Sequence, residues 1–79
     1  MVTRHEQANA RQRIASHVRA LRLARELSQE ELAELAGFHR TYVSQLERGV
    51  TNISVDNLER LASAIGVDVS ELLLPVKAR

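Results

Sequence analysis

The sequence predicts an all-α fold. Apolar residues recur at three- and four-residue spacing through much of the chain, and no segment alternates convincingly at period two. Each of the three glycines also falls just past a run that reads as a helix, where glycine supplies the left-handed turn without steric cost.

The elements follow in chain order. Met1 to about Ala8 is polar without an apolar period and reads as a flexible arm (residues 1–8), ahead of a domain over 9–76 and a tail over 77–79. From Ala10 to Glu26, Ile14, Val18 and Leu21 form the apolar stripe of an amphipathic first helix. Ser28 followed by Glu31 is a capping box just before Leu32 and Leu35, and it starts a second helix from Gln29 to Ala36. Gly37 ends that helix, and a third from about Arg40 to Arg48 is closed by Gly49. Ser54 caps a fourth from Val55 to Ile65, with Leu58, Leu61, Ala62 and Ile65 facing inward and Gly66 after it. Asp68 and Glu71 form another box-like start, so that Leu72 to Leu74 make a short fifth helix stopped by Pro75. No heptad persists, and the connections are short, so the expectation is a compact five-helix bundle rather than a coiled coil.

Size and composition narrow the function. Seventy-nine residues make one domain, and without cysteine no disulfide or thiolate metal site supplements its core. No apolar run resembles a signal peptide or approaches a membrane span, so a soluble, cytoplasmic protein without membrane contact is expected. The net charge is only +1, but Arg4, Arg11, Arg13, Arg19, Arg22 and Arg25 crowd the first third, whereas Glu30, Glu31 and Glu34 cluster without a base among them. A polyanion needs one basic face, so nucleic acid is not excluded. One Phe and one Tyr argue against the stacked aromatic platforms of single-strand binders. His5, His17 and His39 lack metal-ligand spacing, and none pairs with a nucleophile and an orienting acid. Neither an enzyme nor a metal or cofactor site is expected.

The third helix carries the chemistry. Val43 and Leu46 face one way, while Arg40, Thr41, Ser44, Gln45 and Arg48 fall within an arc of about 140° on the other side, free of carboxylates. Such a face suits plain solvation, and it equally suits DNA. Arginine can read guanine O6 and N7, glutamine adenine N6 and N7, and a threonine methyl can rest on thymine. His39 and Tyr42 lie at its margin, positioned for phosphates.

A short helix, a glycine turn and a second short helix outline a helix-turn-helix. Leu27 to Leu73 resembles the phage-repressor and Cro-like (XRE-type) family. The words His39-Arg-Thr-Tyr-Val-Ser-Gln-Leu-Glu-Arg-Gly49 and Asn52-Ile-Ser-Val-Asp-Asn-Leu-Glu59 resemble most the controller proteins of restriction-modification systems. The resemblance implies a five-helix lambda-repressor-like domain that binds double-stranded DNA in the major groove and regulates transcription. It implies base contacts from Arg40, Thr41, Ser44 and Gln45, and a phosphate contact from Gln29 at the start of helix two. Arg48, Thr51 and Asn52 would hold the flanking backbone. It also pairs Arg22 with Glu47, and the residues agree, since Glu47 would otherwise aim a carboxylate at phosphates. Glu30 and Glu34 stand where some phage repressors touch RNA polymerase, although a solvated acidic face accounts for them as well. The N-terminal arginines allow either a minor-groove arm or a solvated leader.

Val67, Val69, Leu72, Leu73, Leu74 and Val76 exceed what one short terminal helix can bury, which points to a homodimer. A twofold dimer would set its recognition helices about 34 Å apart on an inverted-repeat operator. The rival reading is an antitoxin-like protein-interaction module. It would need an extra gripping segment, and only four residues follow Pro75.

Overall fold

The computed structural model describes residues 8–76. Among them are four α-helices, α1 (Ala10–Ala24), α2 (Gln29–Ala36), α3 (Arg40–Arg48) and α4 (Val55–Ile65), followed by a 3-10 helix (Val69–Leu73). The α1 N-terminus is a capping box in which Asn9 accepts from the Gln12 backbone and Gln12 reaches back to Asn9. Ser28 and Glu31 form the same reciprocal pair at α2. Ser54 accepts from the Asn57 backbone at α4. Each cap satisfies donors that the first helical turn leaves without partners.

Burial unites the helices around Leu32, Leu61, Leu72, Val18 and Val43, all essentially inaccessible. Leu58, Ala62 and Ile65 of α4 and Leu46 of α3 join them, as does Ile14 of α1. At about 1.5–3 kcal/mol for each large side chain, this cluster is the main favourable term in folding.

The observed elements differ from the sequence expectation in three places. The first helix ends at Ala24 rather than Glu26, because Glu26 adopts φ 57° and Leu27 N–H returns to the Arg22 carbonyl, closing the end as glycine would. The fifth helix is a 3-10 turn beginning at Val69. Asp68 accepts from the Ser70 backbone and hydroxyl instead of forming a box with Glu71, and this two-residue reach favours the tighter winding. Ala8, assigned to the flexible arm, is buried and donates its N–H to the Val76 carbonyl at 2.7 Å. The rest of the arm and the tail over 77–79 lie outside the described residues.

Candidate nucleic-acid interface

Amphipathicity decides what α3 presents. Val43 and Leu46 are buried, so the opposite face must be solvent-directed: Arg40, Thr41 and Arg48 are exposed, and Ser44 and Gln45 are half-buried. Glu47 is the one acidic residue of this helix, and its side chain is only 4% exposed. It accepts from Arg22 Nε at 2.6 Å and Nη2 at 3.0 Å, and from Gln29 Nε2 at 3.1 Å. The Glu47 hydrogen bond, opposed by burial, raises the Arg22 pKa above its ordinary value. Arg22 Nη1 also donates to the Leu27 carbonyl at 2.7 Å, tying α1 to the approach to α2. The carboxylate is therefore compensated internally, and α3 offers cationic and neutral hydrogen-bonding groups outward.

The flanking residues fall into two groups. His39, at the N-cap of α3, is exposed and makes no side-chain cap. Asn52 is exposed and Thr51 half-buried in the α3–α4 loop. Gln29 and Tyr42, by contrast, have side-chain donors already engaged, whereas Asn52 is engaged, among the described residues, only through its oxygens. Gln29 holds Glu47, whereas the Tyr42 hydroxyl donates to the Asn52 carbonyl and accepts from Asn57 Nδ2, each at 3.4 Å. Arg11 donates to the Asn52 side chain, drawing the start of α1 to the same loop. Sequence reasoning missed this contact, for which no local spacing gives a signal. It also missed Arg60, whose Cζ lies 4.6 Å from the centroid of the Phe38 ring beside the turn between α2 and α3.

The apolar C-terminal set divides as well. The sequence places Leu72 on the dimer surface, but it is fully buried in its own domain, because the 3-10 turn rotates it beneath α1 and α4. Val67 and Val69 pack partly against the same core. Leu73 (37% exposed) and Leu74 (50%) face outward, and Val76 is half-buried. Arg13 Nη1 donates to the Leu73 carbonyl at 3.2 Å and His17 Nε2 to that of Leu74 at 3.0 Å, so α1 holds this edge in place. Glu30 and Glu34 are exposed on α2, with Leu35 also exposed beside them. Among the described residues no acidic, histidine or cysteine cluster could hold a metal ion, and no helix is long and apolar enough to cross a membrane.

Comparison with known proteins agrees with this geometry. Residues 18–72 match the helix-turn-helix family. The chain is 44% identical over 66 residues to the control protein C.BamHI of Bacillus amyloliquefaciens, covering 82% of each chain. It is similar in structure to the restriction-modification controller protein C.AhdI of Aeromonas hydrophila, with a TM-score of 0.76 and 42% identity over 78% of this chain and 94% of that one. The biofilm regulator SinR, solved in complex with DNA, aligns with a TM-score of 0.73 and 35% identity over 77% of this chain and 98% of that one. The chain belongs to the helix-turn-helix family, in its phage-repressor-like (XRE-type) branch alongside restriction-modification controller proteins.

Proposed function

We propose that the protein is a sequence-specific regulator of transcription that binds double-stranded DNA as a homodimer and controls a restriction-modification system together with its own gene. One observation carries the reading: α3 presents Arg40, Thr41, Ser44 and Gln45 on its open side while its carboxylate is withdrawn onto Arg22 and Gln29. These four residues read base edges in the major groove. Arg48, His39, Thr51 and Asn52 lie on phosphates, and Gln29 and Tyr42 join them when their internal hydrogen bonds are exchanged. Leu73, Leu74 and Val76, flanked by Val67 and Val69, form the twofold contact, and Glu30 and Glu34 are available to RNA polymerase. The similarity to controller proteins and to a regulator solved on DNA supports the same conclusion.

The test is selection from a random duplex library at two salt concentrations. An enriched inverted repeat that survives the higher salt is the expected result. Enrichment that vanishes with salt would leave only nonspecific phosphate attraction and overturn the reading.

A further inference from the structure

The last carbonyls of a helix have no partner within it. At the end of α2, two carbonyls of the turn into α3 are satisfied from an unexpected direction. Arg60 of α4 donates through Nη2 to the Ala36 carbonyl at 2.9 Å and to the Gly37 carbonyl at 3.1 Å. Its guanidinium also sits over Phe38, which meets Tyr42 edge-on at 5.0 Å between centroids. Arg60 Nη1 and Asn57 Oδ1 lie 3.4 Å apart, and Asn57 donates onward to the Tyr42 hydroxyl. One cation thus touches the end of α2, the turn, and through Phe38 and Asn57 the first turn of α3. The approach is close, since a Cβ on Gly37 would lie 2.5 Å from Arg60 Nη2. Only arginine combines a flat face for the ring with two separate nitrogens, one for the carbonyls and one for Asn57.

We propose that Arg60 is a positioning residue for DNA recognition, fixing the angle at which α3 leaves the turn and so the placement of Arg40 and Thr41. The inference rests on the DNA-binding reading above. The N–H groups of Gly37 and Phe38 return to α2 and close the turn on that side, but no side-chain cap holds the start of α3 at His39, so Arg60 is the side chain that ties the turn to α4, and a looseness of about 1 Å there is enough to blur base readout. Arg60 itself carries no contact to DNA in this scheme.

The experiment compares the full chain with Arg60→Met, Arg60→Lys and Ile65→Val. The last is a core change on the same helix that lowers stability without touching the turn. Probes are the inverted-repeat duplex enriched by selection and a scrambled duplex of equal length and composition, each titrated at several salt concentrations. The expected result for Arg60→Met is a roughly tenfold loss of affinity for the inverted repeat, with affinity for the scrambled duplex and its salt slope unchanged. Arg60→Lys keeps the charge but not the flat face and paired nitrogens and loses part of the same preference, while Ile65→Val keeps all of it. Unaltered preference in both arginine variants overturns the proposal, leaving Arg60 a stabilising contact only. Equal losses on both duplexes with a shallower salt slope also overturn it, because Arg60 would then be a phosphate ligand. A wild-type protein without preference for any duplex would instead defeat the DNA-binding reading itself.

Discussion

Replacing Arg22 by methionine would leave the Glu47 carboxylate buried with Gln29 as its remaining partner among the contacts described. Both side chains of the pair are largely inaccessible, 10% and 4% exposed, so solvent does little to relieve the orphaned charge. Removing one member of such a pair costs about 3–5 kcal/mol. A domain of this size is stable by only roughly 4–12 kcal/mol, so the loss is a large fraction of the total. Arg22→Met combined with Glu47→Leu removes the charge together with its partner. What is left is the unpaired Leu27 carbonyl and Gln29 amide, worth about 1 kcal/mol each. The double variant should therefore be more stable than Arg22→Met alone. Urea unfolding of all four proteins at one fixed protein concentration measures this, since dimerisation links stability to concentration. If the double variant lost as much as the two single changes summed, the pair would have no coupling energy and this account of Glu47 would be wrong.

Gly37→Ala and Gly66→Ala both force a side chain into left-handed backbone, at about 1–2 kcal/mol. A Cβ on Gly37 also meets the flexible end of Arg60, which must leave the two carbonyls to make room, so Gly37→Ala should shift the urea midpoint further; equal shifts would mean that those two hydrogen bonds add nothing net to stability. Leu73→Asp should yield a folded monomer by light scattering, whereas Leu72→Ala should lower stability by about 2–5 kcal/mol; a dimeric Leu73→Asp variant refutes the assigned interface. Arg40→Ala should cost about 1–3 kcal/mol at one base position, while Gln29→Ala should weaken binding to all sequences alike, both read by titration of single-substituted duplexes. The hydrogen bonds that Glu31 accepts from the Ser28 backbone and hydroxyl lower its folded pKa below 4.5. Its contribution to stability is therefore complete above that value and lost as pH falls through the folded pKa. Glu31→Gln keeps the cap without the titration, so urea midpoints measured across acid pH should fall less steeply than in the wild type; an identical slope contradicts the assignment.

Local chemistry made much of this protein legible from sequence. Ser28 with Glu31, Ser54, and the apolar spacing of Leu58, Leu61 and Ile65 act within a few residues of themselves, so they mark helix ends and inward faces wherever the chain folds. The all-α class, the helix-turn-helix at α2 and α3, and the cationic and amide face of α3 followed from such signals. The end of α1 did not, because a left-handed glutamate has no recognisable spelling. Winding at the C-terminus was equally hidden, since Asp68 could cap either a box or a two-residue turn. That choice determined which leucine became core: Leu72 went inward and Leu73 and Leu74 outward. Tertiary structure alone decided the contacts between residues far apart in the chain, among them Arg60 on the α2–α3 turn, Arg11 on Asn52, Gln29 on Glu47, and Ala8 against Val76. Long polar side chains have several partners within reach on an extended chain. Only packing the helices at fixed distances and burying the unsatisfied groups between them selects one.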